Sequence, residues 1–258
     1  MKASYISAQS TDRFVDSSSG IDKSLSSSQT LRLHVMMNVK VTKSNSTSVP
    51  PVVSKEYQAF LAIKNNIIDR KLVPGQRIVV RDLEKILGMS KTPITNALAR
   101  LEQEGFLVSE HNRGYSVKEL HKDEIRQLYR LRIGLEELAV AFAIEELTEE
   151  KCVALQAALD AYLDYDCTYY DNKRLQLDID FHLQIARTSG NKYLIDMIVY
   201  IYERMLVGFT PVFMTPLIPR FREEHASIVE AIKESNLEKA KQLLREHLAV
   251  TIDTLDSM

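Results

Sequence analysis

A chain of 258 residues, 45% hydrophobic and 26% charged, carries enough apolar surface for one large or two modest globular domains and shows no collagen-like or membrane bias. Two cysteines, Cys152 and Cys167, without a CxxC spacing or a recognisable secretory leader, exclude a disulfide scaffold and are expected to be free thiols in a reducing cytosol. The net charge of −2 divides as +3 over residues 1–54, +3 over 55–120 and −8 over 121–258, so a nucleic-acid partner suits the earlier part while the acidic remainder is expected to sit away from it.

Residues 1–53 are rich in Ser and Thr, end in Pro50-Pro51 and lack any sustained period, which predicts disorder. A targeting peptide is the weaker rival, and Met36 and Met37 are alternative starts. A broadly apolar helix is expected over 54–70 (Tyr57, Phe60, Leu61, Ile63, Ile67, Ile68), followed by a Pro74-Gly75 turn. A short amphipathic segment with Val80, Leu83, Ile86 and Leu87 stops at Gly88, a cap follows at Ser90 or Thr92, and a second helix carries Ile94, Leu98 and Leu101 on one face. It ends at Glu104-Gly105, and two apolar runs, Phe106 to Val108 and Tyr115 to Val117, flank the polar loop His111-Asn112-Arg113-Gly114. Helix, turn, helix and hairpin make a winged helix over 54–120, whose usual ligand is duplex DNA. Lys91, Thr92, Thr95 and Asn96 lie near the start of the second helix, off its apolar stripe, where such helices reach base edges and where free N–H groups favour phosphate. The plainer alternative is a small module with a solvated charged face.

The run Arg81-Asp82-Leu83, Gly88, Ser90-Lys91-Thr92-Pro93, Ala97-Leu98, Arg100-Leu101, Glu104-Gly105 and Asn112-Arg113-Gly114, with Leu72-Val73-Pro74-Gly75 upstream, resembles the DNA-binding domain of GntR-family transcription regulators. The resemblance implies that Arg81, Ser90, Lys91 and Thr92 contact phosphates and bases, with His111 and Gly114 in a wing that enters the minor groove. The family usually has Arg where this chain has Lys91, and Arg then Glu where it has Thr95-Asn96, so bidentate guanidinium recognition of guanine is missing at both places and the operator sequence does not transfer from relatives.

From residue 121 onward the pattern is all helix, in six segments: 122–147, 148–165, 169–189, 191–213, 220–235 and 236–256. Thr148, Ser189-Gly190, the Pro211, Pro216 and Pro219 cluster and Ser235-Asn236 supply the breaks. The stretch 193–214 is the most apolar, yet Asp196, Glu203 and Arg204 interrupt it, which predicts a core helix and no membrane span. No internal repeat is visible, so the expected fold is mainly α: a winged helix-turn-helix, then an antiparallel six-helix bundle over 121–258.

Asp178 and His182, four apart, share a helix face with Leu175, Ile185 and Ala186 and therefore point inward. His225 lies on the stripe of Phe221, Ile228 and Ile232, and His247 on that of Ala240, Leu243 and Leu244. Singly, each histidine reads as a satisfied core residue. A buried carboxylate among them needs a cation or hydrogen-bond donors, and imidazoles with one carboxylate suit Zn²⁺, Ni²⁺ or Mn²⁺. The motifs Asp178-Ile179-Asp180-Phe181-His182, Ser189-Gly190-Asn191, Glu224-His225 and His247 resemble the FCD effector domain of the FadR subgroup of GntR regulators, with six helices as in its VanR-like branch. That resemblance implies a divalent metal held by Asp178, His182, His225 and His247, and a small organic acid bound beside it. Arg132 and Glu136 look like the family's Arg and Glu on the first bundle helix; Arg132 is the candidate for the effector carboxylate, against the alternative of a surface salt bridge to Glu136. The tyrosines Tyr162, Tyr165, Tyr169, Tyr170, Tyr200 and Tyr202 are expected to pack rather than line a cavity.

The expectation is a cytoplasmic, homodimeric repressor that reads a near-palindromic operator with two winged helices and answers to a metal-bound carboxylate metabolite. A regulator responding to the metal alone and a metal-dependent hydrolase are the alternatives. Against the enzyme, none of the six histidines has Glu three residues before it, and HExxH, a nucleophile elbow and a phosphate-cradling Gly loop are all missing.

Overall fold

The computed structural model describes residues 54–110, 114–208 and 211–257; the expected disordered tail and His111 lie outside them. Helix α1 (Lys55–Ile68) starts at Ser54, whose hydroxyl oxygen accepts the Tyr57 N–H at 3.2 Å, and it buries Ala59, Phe60, Ile63 and Ile67. Strand β1 (Arg77–Ile78) follows the Pro74-Gly75 turn and pairs antiparallel with a later strand. Two residues carry no alternation to detect, and nothing in the sequence pattern announces β1. Helix α2 (Val80–Leu87) ends at Gly88, where φ is +61°, a left-handed position that favours glycine. Helix α3 (Lys91–Gln103) begins at Ser90, which makes no side-chain capping bond, and buries Ile94, Ala97, Leu98 and Leu101. Strands β2 (Leu107–Glu110) and β3 (Gly114–Val117) complete a sheet of order β1-β3-β2, with Val108 opposite Ser116.

Ile86 departs from its expected place: it is 69% exposed. At 3.6 residues per turn, Val80, Leu83 and Leu87 fall within an arc of about 60°, and Ile86 lies beyond its opposite flank.

Six α-helices follow among the described residues: α4 (Lys122–Glu145), α5 (Glu149–Asp164), α6 (Asn172–Thr188), α7 (Lys192–Gly208), α8 (Ile218–Lys233) and α9 (Leu237–Asp256). Thr148, Asp171 and Asn236 cap α5, α6 and α9 through backbone N–H groups at 3.3, 2.7 and 3.2 Å. Helix α7 stops five residues short of its expected end at 213, and a 3₁₀ helix (Pro211–Leu217) leads directly into α8. Pro211 and Pro216 lack the N–H an α-helix needs there, whereas Pro219 sits at the start of α8, where that N–H is not required. No helix among the described residues is long and apolar enough to cross a membrane.

The described residues form two hydrophobic cores, and each borrows a side chain across the boundary. Val207 of α7 belongs to the winged-helix core with Phe60, Ile63 and Phe106, while Ile68 of α1 belongs to the bundle core. Helix α6 runs deepest, burying Arg174, Leu175, Asp178, Phe181, His182 and Ile185 around much of its circumference.

Candidate metal centre and nucleic-acid interface

Asp178 and His182 project one turn apart from α6, and the antiparallel α8 and α9 bring His225 and His247 to meet them. One ligating atom from each of the four lies within 4.8 Å of the others, and no residue in the group exceeds 3% exposure. Nε2 of His247 is 3.2 Å from Nε2 of His182 and 3.0 Å from Nε2 of His225, and the latter is 3.4 Å from Oδ1 of Asp178.

Two glutamates approach the rings at Nδ1. Oε2 of Glu136, on α4, lies 2.7 Å from Nδ1 of His182, and Oε2 of Glu224, on α8, lies 2.8 Å from Nδ1 of His247. At His247 the Glu224 contact keeps the proton on Nδ1 and leaves Nε2 with its lone pair, the arrangement of carboxylate–histidine–metal triads, whereas the 2.7 Å approach of Glu136 to His182 lacks hydrogen-bond alignment. Tyr162 meets the His225 ring edge-on at 4.3 Å and Phe181 lies against it at 4.2 Å. Burial holds both His225 and His247 below the usual imidazole range; at His225 the neighbouring imidazoles push the same way, and at His247 the bond to Glu224 opposes. Burial alone would raise Glu136, but Arg132 and His182 hold its carboxyl well below the ordinary carboxylate range.

Imidazole nitrogens and a carboxylate oxygen crowded to about 3 Å repel wherever lone pair meets lone pair, and a cation among them relieves that repulsion. Oδ1 of Asp178, moreover, is buried without a hydrogen-bond partner. Three imidazole nitrogens and one carboxylate oxygen are the donor set of a divalent transition metal, and the residues fit one.

The Arg132–Glu136 pair exists, at 2.6 Å, but not on the surface: the two side chains are 3% and 2% exposed. Oε1 of Glu136 also accepts the Tyr202 hydroxyl at 2.8 Å. Nη2 of Arg132 has no hydrogen-bond partner and lies 4.0 Å from Asp178. It faces a cavity of about 10 Å³ walled by Tyr129, Leu175, Asp178, Ile179 and Tyr202, room for about one water. The tyrosines divide. Tyr162, Tyr170 and Tyr202 are buried around the cluster, Tyr165 is half-buried against Asp171, and Tyr169 and Tyr200 are each 55% exposed.

On the winged helix, Arg81, Ser90, Lys91, Thr92, Asn96 and Gly114 are exposed. Thr95, expected in the same row, is half-buried, and its hydroxyl donates to the Lys91 carbonyl one turn back at 3.0 Å. Asn96 donates to Glu56 at 3.3 Å, so its amide is already engaged within the fold. Gly114 opens β3 with φ +85°.

A winged helix with an exposed polar row at the head of its second helix, joined to a helical bundle, defines a DNA-binding transcription regulator. The model of the bacterial regulatory proteins of the gntR family matches residues 56–117, and that of the FCD domain matches residues 127–250. The chain is 29% identical over 196 residues to YdhC of Bacillus subtilis, an uncharacterized HTH-type transcriptional regulator, covering 74% of this chain and 86% of that one. It is 28% identical over 207 residues to the HTH-type transcriptional regulator McbR of Escherichia coli, covering 79% and 93%. The solved structure of E. coli McbR superposes with a TM-score of 0.61 at 26% identity, covering 80% and 99%. The HTH-type transcriptional repressor GlaR of E. coli is 22% identical over 200 residues, covering 74% and 90%. The chain belongs to the GntR family, with an FCD domain behind its helix-turn-helix, and this family and these relatives are transcription regulators rather than enzymes.

Proposed function

We propose that the protein is a cytoplasmic, homodimeric repressor whose bundle (121–258) holds one divalent transition metal and answers to a small carboxylate, while residues 54–120 grip the operator. The observation that carries the reading is the meeting of Asp178, His182, His225 and His247 in a space of 4.8 Å, with a glutamate close against Nδ1 of two of the three rings. These four side chains would hold the ion, which supplies a Lewis-acidic position for a carboxylate oxygen. Arg132, its Nη2 without a hydrogen-bond partner, is the residue we assign to the effector's charge. Arg81, Ser90, Lys91, Thr92, Thr95 and Asn96, with His111 and Gly114 in the wing, are the assigned DNA contacts, Thr95 and Asn96 only after releasing the bonds described above.

An apolar stripe supports the homodimer: Tyr193, Met197 and Tyr200 recur along α7 at 80%, 52% and 55% exposure. A C2 dimer presents two winged helices to a near-palindromic operator. The relative named a repressor supports that sign of regulation, and the two free cysteines suit the cytoplasm.

The small cavity beside Arg132 favours one second reading, a regulator responding to the metal alone, because an organic acid enters only if side chains around Arg132 move. Operator binding measured with Zn²⁺, Ni²⁺ or Mn²⁺ alone, then with small mono- and dicarboxylates added, separates the two. A further shift on adding carboxylate supports the effector reading, and saturation by metal alone supports the second. Unchanged affinity throughout overturns both.

A further inference from the structure

Helix α7 is built into both halves of the molecule. On one side, Tyr202, 1% exposed, donates to Glu136 at 2.8 Å, and the other oxygen of Glu136 is 2.7 Å from Nδ1 of His182. The next residue, Glu203, accepts a hydrogen bond from Nζ of Lys64 at 2.9 Å, and Lys64 lies on α1 of the winged helix. Consecutive helical residues point about 100° apart, which sends Tyr202 and Glu203 into different cores. One turn later Val207 is buried in the winged-helix core. Arg204 stacks its guanidinium over Phe106 at 4.4 Å, just beyond the end of α3, so tightly that a Cβ on Gly105 would come within 2.7 Å of Nη1. The carbonyl of Gly208 accepts the Leu120 N–H at 3.5 Å in the segment joining the two halves.

The Lys64–Glu203 pair is almost solvent-free, at 7% and 8% side-chain exposure, with the ammonium also 4.7 Å from the centre of the Phe106 ring. A buried pair adds little stability over an apolar replacement, but pulling it apart strands two charges away from water. α1 and α7 therefore move together or at high cost.

We infer that α7 transmits the state of the histidine cluster to the winged helix, entering through Tyr202 and leaving through Glu203 and Lys64. This rests on the metal reading proposed above. An ion held by Asp178, His182, His225 and His247 would fix the His182 ring; Glu136 touches that ring and the Tyr202 hydroxyl, so α7 would carry a displacement there to α1 and the end of α3. The route regulates DNA binding to the extent that the ion binds the two winged-helix orientations with different affinity.

The test uses the full chain with Zn²⁺ as the only probe. Two quantities are read with and without it: amide hydrogen exchange over residues 55–68, and affinity for a duplex selected by the protein from random sequence. Wild type is expected to change operator affinity by roughly fivefold or more, with a parallel change in α1 exchange. In the Lys64→Met, Glu203→Met double variant, which leaves no lone buried charge, metal affinity and metal-free operator affinity stay within about twofold of wild type while the Zn²⁺ effect on both readouts falls below about twofold. Tyr202→Phe, which keeps the Lys64–Glu203 pair, cuts the route from its other end and should reduce the same effect. If both variants answer Zn²⁺ as wild type does, α7 is not the route, although the metal reading survives. Zn²⁺ binding that moves neither readout in wild type overturns the transmission itself, and failure to bind Zn²⁺ overturns the reading beneath it.

Discussion

Arg81, Lys91 and Thr92 stand in solvent on the winged helix, whereas Arg132, Glu136, Asp178, His182, His225 and His247 are each no more than 3% exposed in the bundle. The two charges of the first group, Arg81 and Lys91, sit in a field that salt screens, each nearly independent of the other. The second is a network in which each charge is tolerable only because of its neighbours: Glu136 is shared by Arg132, Tyr202 and His182, and His247 by Glu224 and two other imidazoles. Removing a charge thus means different things in the two places. On the surface it subtracts one contact, and in the bundle it strands a partner.

The largest expected effect comes from Arg132→Ala. It leaves the Glu136 carboxylate buried without its cation, and breaking such a pair costs about 3–5 kcal/mol, measured by urea unfolding of metal-free protein. A loss near the ~0.5 kcal/mol typical of surface sites would erase the contrast between the two regions. Effector measurements on this side chain therefore need Arg132→Lys as well, which keeps the charge while removing the planar fork.

The next effect is one of pH. His225 and His247 are held below the ordinary 6.5 by burial, so under that value the unfolded chain binds protons that the native bundle refuses. Stability of the metal-free protein should therefore fall as pH drops through 6.5, and saturating Zn²⁺ should move the fall to lower pH because metal and proton compete for the same nitrogens. Stability that stayed level or rose from pH 7.5 to 5.5 would show the histidines accepting protons in the folded state.

The smallest effect belongs to Lys91→Ala. If Lys91 meets a phosphate, the slope of log affinity against log salt should flatten by about 0.9 while fold stability changes by less than about 0.5 kcal/mol. A changed melting temperature with an unchanged slope would place Lys91 among the structural residues.

The contrast also explains what could be read in the sequence. Spacing put Asp178 and His182 on one face, apolar stripes turned His225 and His247 inward, and the resemblance joined them; these are local patterns that a helix preserves. The ring anchors were less accessible. Glu224 adjoins His225 in sequence but serves His247 from the next helix, and Glu136 reaches His182 across 46 positions. The pairing of Arg132 with Glu136 was visible as an i, i+4 spacing, but its burial depends on where α6 and α7 pack against α4. Lys64 sits between Ile63 and Ile67 with its partner 139 residues away, so neither its burial nor its role across the boundary has a local signature. Thr95 and Ile86 were misplaced for a related reason: on short helices a few tens of degrees decide which flank meets the core.

Metal content, measured by inductively coupled plasma mass spectrometry on the full chain after equilibration with Zn²⁺ and gel filtration, tests the central claim most directly. One ion per chain in wild type and a clear loss in His225→Ala, with far-ultraviolet circular dichroism unchanged, is the predicted result. A wild-type chain that retains no ion, or a His225→Ala variant that still holds one per chain, would contradict it.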